Sequence, residues 1–170
     1  MLNIKTVTMN LKKFLICFSL TLLVSASSFA QEILEWRGAD RSGAYKESNL
    51  LTSWPAAGPT LLWESDDIGN GYGSPIITKN NIFIEGEIDT VNYLFALDLK
   101  GKIIWKSKIG KEWVINYPGV RTTPTFVNNL IYVSTGWGKV ACIDASNGNE
   151  KWSVDMMNDF HAKKITFGFS

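Results

Sequence analysis

Residues 73–84 read GSPIITKNNIFI and residues 122–133 read TTPTFVNNLIYV. These are one pattern written twice. Pro75 stands with Pro124, Ile77 with Phe126 and Asn80 with Asn129; Ile82, Phe83 and Ile84 stand with Ile131, Tyr132 and Val133, all at an offset of 49. Further on, FALD (95–98) matches ACID (141–144) at an offset of 46, and Trp63, Trp105 and Trp152 follow at intervals of 42 and 47. Loop insertions in a repeat make the offset drift while the pattern stays fixed. A strand-built period of about 40–50 residues restricts the chain to a propeller or a related array.

Each copy reads as four short strands. The first follows the proline, over Ile76–Thr78 in the first copy, where a residue need not donate to the ladder. Lys79-Asn80-Asn81 and Asn128-Asn129 supply the next turn, because Asn tolerates the left-handed backbone of a tight hairpin. IFIEG or LIYVS is the second strand, YLFALD or KVACID the third, KIIWKS or EKWSV the fourth. Between the last two, Asp98 with Gly101 and Asp144 with Gly148 bracket a turn. The Asp carboxylate accepts a backbone N–H there, and Gly takes a positive φ. β-Branched and aromatic residues fill the strands, and no long stretch shows helical periodicity with start and stop signals. The expected fold class is all-β: a partial propeller of two complete four-stranded blades, at about 73–107 and 122–154, plus an N-terminal closing strand.

Met1–Ala30 reads as a secretory signal peptide. Lys5, Lys12 and Lys13 precede an apolar run, Phe14–Val24, and Ser28 and Ala30 give the small-residue cleavage pattern. The run is shorter than the roughly 20 residues of a membrane helix, so no transmembrane segment is expected after cleavage behind Ala30. Cys17 lies inside the run, which argues against a lipid-modified cysteine. The expected localisation is periplasmic or secreted. Cleavage removes three of the 17 Lys+Arg and none of the 16 Asp+Glu. The slightly acidic remainder lacks the basic patch that nucleic acid or an anionic membrane calls for. Cys142 is then alone and cannot form an internal disulfide. It replaces Ala96 in the second copy and reads as a small core residue.

The segment 31–62 leads into the closing strand, and 63–170 hold the repeats, a third starting at about residue 166. Trp63 stands in LLWE (61–64) like a fourth-strand Trp with no strands before it. Propellers close with about 4–8 blades, so the expectation is that this sequence is part of a longer propeller.

Ala96-Leu97-Asp98 with Gly101 and Trp105, and Cys142-Ile143-Asp144 with Gly148 and Trp152, each behind the Pro75 or Pro124 block, resemble the pyrroloquinoline-quinone (PQQ) enzyme repeat. WRGADRSG (36–43), SWP (53–55) and LLWE are similar to the start of secreted bacterial PQQ-like propellers. The Gly-His and Trp-Asp marks of WD40 repeats and the paired glycines of kelch repeats are absent. The resemblance implies a propeller whose N-terminal strand completes a blade from the C-terminus. It implies one of two roles: a non-catalytic binding or scaffold module, as in outer-membrane β-barrel assembly, or the N-terminal part of a quinoprotein alcohol dehydrogenase using PQQ with Ca²⁺. Fold does not choose between them. The adjacent cysteine pair common in such dehydrogenases is missing.

No catalytic constellation is legible. His161 has no second His or mature Cys cluster with which to form a metal site. Glu85, Glu87 and Asp89 alternate, so they share one face if the strand continues; they read either as ligands for a hard cation or as a solvated strand face. GNGYGS (69–74) lacks nucleotide-loop spacing and precedes a strand instead of a helix. It enters the innermost strand, as does the loop holding Arg121 in the next copy. Asn70, Tyr72, Trp113 and Arg121 are therefore the candidates for a cofactor-binding face, with a protein or small-molecule ligand as the partner.

Overall fold

The computed structural model describes residues 33–38, 41–45 and 47–169. The signal-peptide segment lies outside them. Two antiparallel sheets carry the fold. The first is β2 (Ile76–Ile77), β3 (Asn81–Ile88), β4 (Val91–Asp98) and β5 (Ile103–Lys111), in that order. The second is β1 (Ile33–Leu34), β6 (Thr125–Val127), β7 (Leu130–Ser134), β8 (Lys139–Asp144) and β9 (Glu150–Asp155). One short helix, α1 (Met156–Asp159), follows, with the Asp155 carboxylate capping the N–H groups of Met157 and Asn158. Each copy of the repeat is thus a four-stranded meander, and β1 adds to the inner edge of the second.

The repeat extends to its irregularities. Ala96 pairs with Trp105 and Leu97 with Ile103; Cys142 pairs with Trp152 and Ile143 with Glu150. Both blades thus bulge at the same point, which increases local twist. A small residue faces each Trp, leaving room for the indole. Phe83 and Trp105 lie 5.9 Å apart between ring centroids, and their counterparts Tyr132 and Trp152 lie 6.1 Å apart.

The turns obey the expected chemistry, with one variation. Asp98 accepts from the N–H of Lys100 and Lys102, and Asp144 from that of Ser146. Gly101 and Gly148 take φ of +82° and +75°. Asn128 and Asn129 are both left-handed. In the first copy, however, the Thr78 hydroxyl accepts from the N–H of Asn80 and Asn81, so a side chain does there what backbone conformation does in the second.

The main core lies between the sheets. Phe83, Leu94, Ala96 and Ile109 of the first pack against Ile131, Val133, Ala141 and Ile143 of the second, with Trp105 and Phe126 at its margin. Trp105 sits on the Gly148 turn, where an added methyl group would stand 2.8 Å from its Cε3 atom. Trp63 covers the Gly101 turn in the same way. Residues 61–64 nevertheless form no strand, since no neighbouring strand pairs with them among the described residues. Cys142 is buried and free, beneath Tyr132 and Trp152.

Candidate functional site

One face of the two blades collects the β3–β4 turn, the β5–β6 connection and the β7–β8 turn. Glu112, just past β5, ties them together. Its N–H donates to the Thr90 carbonyl at 2.8 Å, and its carbonyl accepts from the Trp137 indole at 3.1 Å. Its carboxylate accepts from the N–H groups of Trp113 (2.8 Å) and Gly136 (2.9 Å) and from the Asn92 amide (3.0 Å). The same amide reaches Glu85 at 2.9 Å and the Ser134 carbonyl at 3.4 Å. The Thr122 hydroxyl lies 3.0 Å from both Glu85 and the Ser134 carbonyl.

Counting hydrogens favours a protonated carboxyl in this network. Both Glu85 oxygens, one Glu112 oxygen and the Ser134 carbonyl compete for the two Asn92 amide hydrogens and the one Thr122 hydrogen. A proton on Glu85 supplies the missing donor: Glu85 donates to Thr122, which donates to Ser134. Burial pushes the Glu85 carboxyl up to about 8, against the Asn92 and Thr122 hydrogen bonds and with the help of the Glu112 charge. Burial also raises Glu112, but the Trp113 N–H, the Asn92 amide, the Gly136 N–H and the Arg121 charge oppose it. Glu85 is therefore the member of the pair that holds its proton more tightly, and Glu112 the one whose charge the surrounding donors favour.

In front of this network lies a cleft of about 420 Å³, lined by Trp36, Arg121, Thr122, Thr123 and Ser134. Such a volume suits a small molecule. A second cleft, of about 300 Å³, shares Trp36 and Thr123 and continues along Arg37 and Ser74. Trp36 is 52% exposed, and the Arg37 guanidinium stacks over its ring at 4.3 Å. Arg121 uses one nitrogen to hold the Asn116 and Tyr117 carbonyls, at 2.5 and 2.7 Å. Its other terminal nitrogen and the Asn92 amide oxygen are both buried from solvent without a protein partner. Thr123 accepts from the Ser74 N–H at 3.0 Å, which leaves its hydroxyl proton free to donate.

Of the candidates named from sequence, only Arg121 lines the main cleft. Trp113 is buried, its indole N–H on Asn116 and its ring 4.9 Å from Trp137. Asn70 bonds to Glu87, and Tyr72 is exposed. Gly69 and Gly73 of GNGYGS abut the backbone of Glu87 and Thr122, where a Cβ would collide, and Gly71 packs tightly against the carbonyls of Glu85 and Val120. Glu85 and Glu87 do share the buried part of β3, which corrects the solvated-face reading: Asn92 and Thr122 cover Glu85, and Asn70 and Thr90 cover Glu87. Asp89 leaves that face in a left-handed turn. Glu87 accepts from the Thr90 N–H at 2.6 Å. His161 is exposed. Trp36, Thr123 and Ser134 were not legible as site residues.

Two four-stranded antiparallel meanders packed face to face, with Trp105 seated on the Gly148 turn, are the arrangement of neighbouring β-propeller blades. Residues 92–166 match the family model described as outer membrane protein assembly factor BamB. Over 50 residues the chain is 36% identical to the quinohemoprotein alcohol dehydrogenase ADH IIB of Pseudomonas putida, a stretch covering 28% of this chain and 7% of that enzyme. A europium-containing methanol dehydrogenase aligns in structure with a TM-score of 0.43 and 22% identity, over 56% of this chain and 18% of the other. This chain therefore spans less than a fifth of either relative.

The PQQ and Ca²⁺ implied by the resemblance can be tested against the donors. Calcium takes about six to eight oxygens. The oxygens of Glu85, Glu112 and Ser134 do converge, but the Asn92 amide nitrogen occupies their centre. Among the described residues no three of His, Cys, Asp and Glu group to hold a metal. These residues do not fit a Ca²⁺ site.

Proposed function

We propose that this chain belongs to an exported, periplasmic propeller that acts as a non-catalytic binding module and uses the cleft-bearing face for recognition. The observation that supports this reading is the disposition of the acids. Glu85, Glu87 and Glu112 are engaged by internal donors. The cleft is lined instead by Trp36, Arg121, Thr122, Thr123 and Ser134, with Arg121 itself held by the Asn116 and Tyr117 carbonyls. A guanidinium does not serve as a base at ordinary pH, and a hydroxyl without an adjacent base is a weak nucleophile. The family description as an assembly factor accords with a docking role.

The identity shared with a quinohemoprotein alcohol dehydrogenase favours a second reading, in which the chain is part of a PQQ-dependent oxidoreductase. A dye-linked alcohol assay on the full-length protein, with PQQ and Ca²⁺ added together and singly, separates the two. The binding-module reading expects no alcohol-dependent dye reduction under any condition. Turnover that requires both additions would overturn it.

A further inference from the structure

Resting on the binding-module reading, we propose that a groove on the same face, between residues 113–115 and 164–166, docks an extended acidic peptide of a partner protein. One large apolar side chain of the peptide sits between Ile115 and Ile165, and its acids meet Lys111 and Lys164. The groove holds about 270 Å³ and is lined by Trp113, Ile115, Lys164, Ile165 and Thr166. That is room for a side chain, less than a cofactor pocket needs. Its apolar walls stand open: Ile115 is 61% exposed and Ile165 46%. Its frame is fixed by internal bonds. The Trp113 indole N–H donates to Asn116 at 2.7 Å, the Asn116 amide reaches the Thr166 carbonyl at 3.4 Å, and the Phe169 N–H donates to the Gly136 carbonyl at 2.9 Å. A preformed slot lowers the ordering cost of binding.

Charge identifies the occupant. Lys111 lies over the Trp137 ring at 4.6 Å; Lys164 lies over the same ring at 5.2 Å and over Trp113 at 5.0 Å. The two ammonium groups are therefore at most about 10 Å apart, the sum of their distances to Trp137. Both lysines are exposed, and neither forms an ion pair among the described residues. The indoles attract these cations but leave their charge unneutralised. Neighbouring acids are engaged elsewhere: Glu112 on the N–H groups of Trp113 and Gly136, Asp155 on the cap of α1, and Asp159 on the Asp155 N–H. In an extended peptide, residues two places to either side of the seated one face the same surface about 7 Å away. Acids there come within reach of the lysines. Behind Ala30 the chain carries more Asp and Glu than Lys and Arg, so the molecule as a whole repels a broad anionic surface while this rim attracts a short acidic segment.

Calorimetric titration of the full-length protein tests the inference with three end-blocked peptides: Ser-Asp-Glu-Phe-Glu-Asp-Ser, its amide counterpart Ser-Asn-Gln-Phe-Gln-Asn-Ser, and Ser-Asp-Glu-Ala-Glu-Asp-Ser. The expected result is binding of the acidic Phe peptide that weakens with added salt, and each of the other two weaker by about 10-fold or more. Lys111→Glu and Lys164→Glu together should weaken the acidic Phe peptide by about 10-fold or more. Both positions are exposed, and an unchanged thermal midpoint separates lost binding from lost folding. Equal binding of the amide peptide would overturn the acid requirement. Equal binding of the Ala peptide would overturn the apolar slot. Binding that the lysine variant leaves unchanged would overturn the site. Binding to phosphatidylglycerol vesicles but to no peptide would overturn the peptide as occupant. No binding at all would overturn this inference alone. Alcohol-dependent dye reduction that requires PQQ and Ca²⁺ would overturn the module reading itself.

Discussion

At the scale of single residues, the proton on Glu85 is the most exposed claim. The folded chain holds it up to about pH 8, whereas an unfolded chain releases it near 4.5, the ordinary value for a glutamate. The folded state therefore binds more protons between those limits. The stabilising contribution is complete below about 4.5, falls by roughly 1.4 kcal/mol per pH unit as pH rises through the window, and is gone above about 8. Urea unfolding at pH 5, 6, 7 and 8 should show this fall, and Glu85→Gln should flatten it. Glutamine reproduces the neutral acid: its amide donates to Thr122 and its oxygen accepts from Asn92. We expect Glu85→Gln to cost under about 1 kcal/mol at pH 6, and Glu112→Gln about 2 kcal/mol, since Glu112 accepts charge-assisted bonds from two backbone N–H groups. Equal costs would refute the assignment of the two charge states. None of this was legible from alternation alone. Glu85 and Glu87 sit at strand spacing, but whether that face is wet depends on the connection around Thr122, 37 positions away from Glu85.

At the scale of elements, turns and strands were readable because their causes are local. Asp98, Gly101, Asp144 and Gly148 act within a few residues of themselves, and the strands show in their composition. Two elements escaped. β1 is two residues long, too short for any period, and exists because Ile33 and Leu34 pair with Val127 and Phe126. That pairing sets Trp36 at the cleft, so the platform of the candidate site was hidden while Arg121 was visible. LLWE has a strand's composition but no neighbour to pair with among the described residues. The turn glycines give a graded prediction. Gly148→Ala meets a left-handed backbone and the face of Trp105 together, and should cost about 2–4 kcal/mol. Gly58→Ala shares the positive φ but opens on empty space, so it should cost only about 1 kcal/mol. Thermal or urea unfolding measures both. Equal losses would mean that conformation alone, without the indole contact, accounts for the glycine.

At the scale of the whole molecule, the question is whether two blades make one cooperative unit. The repeat predicts that they do. A single blade cannot bury both of its faces, and stacking completes the core. The apolar residues of β3, β4 and β5 that face the second sheet meet those of β7 and β8 without an intervening polar layer. Behind them, Glu112 and Asn92 of the first blade bind the backbone of the second at Gly136 and Ser134. Trp105 closes the margin of this shared core, whereas Trp152, its counterpart in sequence, remains 46% exposed. Two residues with the same place in the repeat should therefore differ in energy. We expect Trp105→Ala to cost about 3–5 kcal/mol, the range for deleting a large packed aromatic, and Trp152→Ala less than half of that. Hydrogen exchange reads the distribution as well as the size. If the blades are one unit, Trp105→Ala lowers the protection of amides in β4 and in β8 by the same amount, because both open through global unfolding. Loss confined to β4 would mean that the second blade stands without the first, and that the core between them joins two separately stable parts.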